Sequence, residues 1–164
     1  MKPLGRDMRR EAMMRVRALM NDDTEKAREL ILSILTAEYP FDKSAYSDSD
    51  LYDLPGTYSG PRDSFFILEE NGQIVGTVGI KEDSKDVALL RRLFVDPAHR
   101  RKGYGKLLMD EAIKFCKEKA YSSLVFRTTG RMTQAIELCN KRAFKKVEEI
   151  DLEGFQIFKF VRKI

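Results

Sequence analysis

The chain has 164 residues, 43% hydrophobic and 34% charged, with a net charge of +4, a balance that suits one globular domain over residues 1–164. No apolar run approaches the ~18 residues that span a bilayer. The basic start, with Arg6, Arg9 and Arg10, meets Glu11 and Arg15 instead of a signal-peptide apolar segment, so a cytoplasmic protein without a membrane partner is expected. Cys116 and Cys139 form no CxxC pair and His99 is the sole histidine, which leaves no zinc spacing; the metal expectation is none, and the thiols are read as reduced.

Met1 to Arg10 reads as a frayed start, within a possible N-terminal extension over residues 1–12. Met14-Arg15-Val16-Arg17-Ala18 alternates as a short strand does. Asn21, Asp22, Asp23 and Thr24 offer N-caps, and Thr24 through Ala37 spaces Ala27, Leu30, Ile31, Ile34 and Leu35 as one helix face, ended by Pro40. Phe41 to Arg62 is an irregular connection with turn signals at Pro55-Gly56 and Gly60-Pro61, and a short helical turn around Leu51 to Leu54. Ser64 to Glu69 and Ile74 to Ile80 are strand-like about an Asn71-Gly72 hairpin turn. Val87 to Val95 is a third, mostly apolar run, expected to be buried on both faces. A helix follows from about Tyr104 to Lys119, with Leu108, Ala112, Phe115 and Cys116 inward. Ser123 to Thr128 reads as a strand and Met132 to Arg142 as a helix with Ala135, Ile136, Leu138 and Cys139 apolar. Phe144 to Ile150 and Phe155 to Phe160 close the chain as a hairpin around Glu153-Gly154. The order predicts a mixed α/β sheet with a parallel strand–helix–strand crossover at its centre.

Charge is segregated. Arg91, Arg92, Arg100, Arg101, Lys102 and Lys106 stand against Asp96, whereas Glu38, Asp42, Asp48, Asp50 and Asp53 stand against Lys43. The first region should attract an anion and the second a cation. Within the first, a strand closes at Asp96-Pro97 and a helix opens at Tyr104, with Gly103 and Gly105 in the turn between. Glycines there allow torsions and close approach, and the loop N–H groups with the helix's first turn converge on one point of positive potential. That is a diphosphate site. The Walker pattern fails because Leu107 follows Lys106, and the dinucleotide pattern fails because Leu108 replaces its third glycine.

The pattern that fits is Arg-x-x-Gly-x-Gly over Arg100 to Gly105, and here the chain resembles the GNAT superfamily of acetyl-CoA-dependent N-acetyltransferases. Leu90-Arg91-Arg92-Leu93-Phe94-Val95-Asp96-Pro97 looks like the family's central strand. Thr128-Thr129-Gly130-Arg131-Met132, Ala135-Ile136-Glu137-Leu138 and Lys141-Arg142-Ala143-Phe144 resemble its later strand–helix junction and helix. The resemblance implies a mostly antiparallel twisted sheet of about six or seven strands, a central splayed parallel pair and about four helices. It also implies acetyl-CoA as acyl donor and a small-molecule or peptide amine as acceptor, and it allows a homodimer. Leu93, Phe94 and Val95 would meet the pantetheine; Arg100, Arg101, Lys102, Gly103, Tyr104, Gly105 and Lys106 the pyrophosphate; Thr129, Met132 and Lys141 would complete the cofactor contacts.

The chain departs from the family at the proton-handling positions. Cys139 stands where a tyrosine acid is common, Leu89 where a glutamate often precedes the central run, and Met132 where an asparagine often contacts the cofactor. Cys139 has three readings: an apolar filler, a weak proton donor, or a thiol that is itself acylated, the last disfavoured because no basic neighbour is visible to generate a thiolate. Glu82, Asp83 and Asp86 read first as hairpin-turn residues, with a reach to the cleft through water as the alternative, and no base is assigned. Glu38 to Tyr58 and Asp151 to Phe155 correspond to the family's acceptor walls, and their acids suggest a cationic amine, an amino acid or a peptide N-terminus. A catalytically degenerate acyl-CoA-binding module stays open as the alternative. Nucleic acid is not expected, because few aromatics interleave with the basic stretch.

Overall fold

The structure, a computed structural model, describes residues 13–42 and 47–164. The basic N-terminal start and Lys43 of the acidic region lie outside the described residues. In chain order the elements are β1 (Met14–Ala18), α1 (Thr24–Glu38), the short α2 (Leu54–Thr57), β2 (Ser64–Glu70), β3 (Gln73–Glu82) and β4 (Val87–Val95). Then come α3 (Tyr104–Glu118), β5 (Ser123–Thr129), α4 (Thr133–Lys141), β6 (Lys145–Leu152) and β7 (Phe155–Lys163). Seven strands make one sheet in the order β1-β2-β3-β4-β5-β7-β6. Neighbouring strands are antiparallel except β4 and β5, which run parallel through the α3 crossover.

Local chemistry sets the corners. Asn71 and Gly72 have φ of 52° and 78°, and Glu153 and Gly154 have 46° and 88°, the paired positive torsions of a two-residue hairpin turn. Asp53 accepts from the Gly56 N–H and caps α2.

Helices cover the sheet on two faces. The buried side of α3 is Leu108, Met109, Ala112, Ile113 and Cys116, packed with Leu90, Leu124, Phe126 and Phe160. Each such large apolar side chain contributes about 1.5–3 kcal/mol. Ala27, Ile31 and Leu35 of α1 pack on the other face with Leu51, Leu54, Tyr58, Phe65 and Ile67. In α4 only Cys139 is fully buried; Ala135, Ile136 and Leu138 are half-buried or rim positions, because that helix edges an open cleft.

Two expectations change. β4 is not buried on both faces; Ala88, Leu90 and Arg92 are buried, while Val87, Leu89, Arg91 and Leu93 are half-buried. The open side of the strand is the cleft wall. β7 also runs past Phe160 to Lys163, through Arg162, which donates to the Arg142 carbonyl at 2.9 Å. The charged end masks the strand in the sequence.

Candidate active site

The site is created by a bulge. Gly79 pairs with Arg91 and Thr77 with Phe94, so β4 carries one residue more than β3 between those pairs. Arg92 takes up the excess with φ of 54°, and the buried Thr77 hydroxyl donates to the Arg92 carbonyl at 2.7 Å. On its other side β4 stays in register with β5 only from Val87 to Leu90, which pairs with Phe126. Beyond that pair the strands diverge, and the β5-facing edge of Leu93–Val95 has no ladder partner. The gap opens into a cleft of about 950 Å³ between the tip of β4, β5, the start of α3 and α4.

The glycine loop closes one end of this cleft. Gly103 caps α3 with φ of 80°, and Arg101 before it is also left-handed at 66°, so the backbone turns sharply into the helix. A Cβ on Gly105 would meet Leu138 at 3.5 Å and Val95 at 3.9 Å, so the missing side chain keeps the space between β4 and α4 wide. The first turn of the fifteen-residue α3 contributes its free N–H groups and dipole to the same place. These features fit a diphosphate joined to an extended, amide-bearing arm lying along β4.

Of the residues anticipated for cofactor contact, Leu93, Phe94, Val95, Arg100, Arg101, Gly103, Tyr104, Gly105, Lys106, Met132 and Lys141 line the cleft. Lys102 and Thr129 do not. Lys102 turns toward Glu70, 3.9 Å away, and Thr129 is buried and donates to Asp42 at 2.6 Å. The Arg100 guanidinium is engaged elsewhere as well, forked onto Glu38 at 2.5 and 2.6 Å and donating to the Val95 carbonyl at 3.1 Å. It ties the loop to the end of α1. Tyr104 donates to Glu70 at 2.6 Å, and Glu70 also lies 3.3 Å from His99, so the loop is braced from β2.

Cys139 is not a cleft residue. It is wholly buried in the core, and burial pushes its thiol up to about 12. Cys139 lies off the cleft lining, a placement that supports the filler reading over the donor reading.

The acidic region also departs from expectation. Asp50 is buried, and the Arg92 guanidinium donates to it at 2.5 and 3.0 Å while Tyr58 donates at 2.9 Å. Burial alone would raise the Asp50 carboxyl, but Arg92, then Tyr58 and Arg91, hold it below the usual carboxylate range. Glu38 is taken by Arg100, and the buried Asp42 carries the Thr129 hydroxyl and lies 3.7 Å from Arg131. Asp50, Glu38 and Asp42 thus brace the fold, while Asp48 and Asp53 of the same region stay exposed.

Among the described residues, the carboxylate on the cleft wall is Glu137, 3.0 Å from Lys141. No group of three His, Cys, Asp or Glu side chains gathers as a metal site among them. Wall residues that the sequence did not single out include Tyr39, Arg127 and Gln134. Burial raises the Tyr39 hydroxyl, with Glu38 adding to the effect, so it stays protonated as a donor. Arg127 had one signal: it is the lone charge in the apolar strand Ser123–Thr129.

A parallel pair that parts beyond Leu90, with a glycine loop at the mouth of the gap, is the arrangement that the GNAT resemblance implies. The family model described as the Acetyltransferase (GNAT) family matches residues 28–144, and the chain belongs to that family. Rat N-acetyltransferase family 8 member 3 is 32% identical over 130 residues, which are 73% of this chain and 57% of the relative, so the chain spans little more than half of that protein. A GNAT-family acetyltransferase from Staphylococcus aureus Mu50 is 22% identical with a TM-score of 0.81, covering 92% of this chain and 98% of that one. A Salmonella typhimurium protein solved with its cofactor acetyl-CoA has 17% identity and a TM-score of 0.73, covering 92% and 94% of the two chains. Both structures share the fold. Among the described residues no helix is long and apolar enough to cross a membrane.

Proposed function

We propose that the chain is an acetyl-CoA-dependent N-acetyltransferase that moves an acetyl group to a primary amine of a small molecule, amino acid or peptide N-terminus by direct attack. In this reading residues 1–164 act as one domain in the cytoplasm. The observation that carries it is the shared cleft: the glycine loop and the unpaired edge of β4 open into one space.

Acetyl-CoA, when bound, supplies an activated thioester. Arg101, Lys106, the loop N–H groups and the start of α3 hold its pyrophosphate. Leu93, Phe94 and Val95 offer main-chain groups to the pantetheine amides, and an N–H near Phe94 or Val95 donates where negative charge develops on the acyl oxygen. No base is assigned: Glu137, the carboxylate on the wall among the described residues, is paired with Lys141, and the proton lost by the amine balances the one gained by the departing thiolate.

A binding-only module would share the cleft but transfer nothing, and one assay separates the two. Mixing the full chain with acetyl-CoA and a panel of primary amines should release free thiol in an amine-dependent, saturable manner. Thermal stabilisation by acetyl-CoA without thiol release from any amine would establish the binding module instead.

A further inference from the structure

The cleft wall carries more positive charge than a diphosphate uses, and the partners of each cation show where the excess lies. Arg101 and Lys106 belong to the loop and the first turn of α3. Arg100, Arg92, Lys141 and Arg142 are paired with Glu38, Asp50, Glu137 and Asp110. Among the described residues Arg91 has one ion-pair partner, Asp50 at 3.6 Å, where Arg92 is already bound. Arg127 is exposed and has no ion pair among the described residues.

Strand register puts Arg91 and Arg127 on one face. Leu90 and Phe126 are paired and both enter the core beneath α3, so the next residue on each strand faces the α1 side. The contact of Arg91 with Asp50 places it on that side too. Arg127 is in register with Lys159 of β7, whose own cross-strand neighbour is Glu148. The two guanidiniums therefore flank the point where β4 and β5 part, on the face away from α3.

We propose that the acceptor is a small amine that also bears a carboxylate, of the amino-acid class, with its carboxylate held by the Arg127 guanidinium and Arg91 beside it. The inference rests on the acetyltransferase reading above and selects the amino acid among the acceptors expected from the sequence, on the strength of the cationic wall. A guanidinium presents a planar fork that matches a carboxylate with two parallel hydrogen bonds. Anchoring the acid at Arg127 leaves the amine free to lie over the gap between the strands, where Leu93–Val95 have their open edge.

The test compares amino acids with their carboxamides as acceptors for wild type and Arg127→Gln, by thiol release. It is paired with calorimetric binding of the N-acetylated products to the CoA complex. The carboxylate acceptors should be favoured about 10–100-fold in kcat/KM. Arg127→Gln should erase that preference through a higher KM and weaken product binding by a like factor. The acetyl-CoA Kd and the thermal midpoint of the variant, measured without acceptor, should stay at their wild-type values. Equal use of carboxamides, or a preference for polyamines, would overturn the carboxylate inference while leaving acetyl transfer intact. Acetyl-CoA binding with no acetylation of any amine would overturn the transferase reading, and this inference with it.

Discussion

Burial decides what the two thiols can do. Cys116 and Cys139 are both fully buried, and loss of solvation raises each thiol to about 12 from an ordinary value of about 8.5. At pH 8 both stay protonated, so the folded protein should be inert to a disulfide reagent such as DTNB over many minutes. Addition of denaturant should expose two thiols per chain. Rapid labelling of Cys139 in the native state would place it at the cleft after all. The loop around Arg100–Gly105 could be read from the residues themselves, because a left-handed turn asks for glycine and a diphosphate asks for cations and free N–H groups. The fates of the carboxylates could not. Asp50 meets Arg92 across 42 positions, Glu38 meets Arg100 across 62, and Asp42 meets Thr129 across 87. Charge clusters in a sequence give a field only after such distant pairings have neutralised part of it.

At the level of elements, the bulge in β4 connects packing to chemistry. It rotates the end of the strand so that Leu93–Val95 present an edge to the cleft, and the Thr77 hydroxyl on the Arg92 carbonyl holds it in place. Thr77→Val keeps the shape and removes that hydrogen bond from a fully buried site. The carbonyl then loses a partner, which should lower stability by about 1–3 kcal/mol in urea unfolding and weaken acetyl-CoA binding several-fold. Unchanged binding in the destabilised variant would separate the bulge from the cofactor site. Hairpins at Asn71-Gly72 and Glu153-Gly154, the helix faces of α1 and α3 and the strand–loop–helix order all follow from local pattern. The bulge does not. Arg91 and Arg92 continue an unbroken strand pattern, and only pairing with Gly79 and Thr77 shows that one residue is in excess.

Over the whole molecule, the proposed function divides the two layers, one for the cofactor and the other for the acceptor. α3 lies on one face of the sheet with the phosphate-type loop at its start, and α1 lies on the opposite face over β2–β4. Arg91 and Arg127 face that second side at the place where the parallel pair opens. The β4–β5 splay opens between the two layers, and the cleft is lined from both of them. This division requires that the nucleotide end of the donor supply much of its affinity through Arg101, Lys106 and the loop backbone. Calorimetric titration of the full chain with acetyl-CoA and with acetyl-pantetheine, which lacks the pyrophosphate and the phosphoadenosine beyond it, measures the share of the whole nucleotide end, and the loop's part of it is read from the double variant below. Acetyl-CoA should bind at least about 100-fold more tightly, a difference of roughly 2.7 kcal/mol. The Arg101→Ala/Lys106→Ala variant should lose most of that margin. Equal affinity for the two ligands, or a margin untouched by the double substitution, would contradict the assignment of the loop.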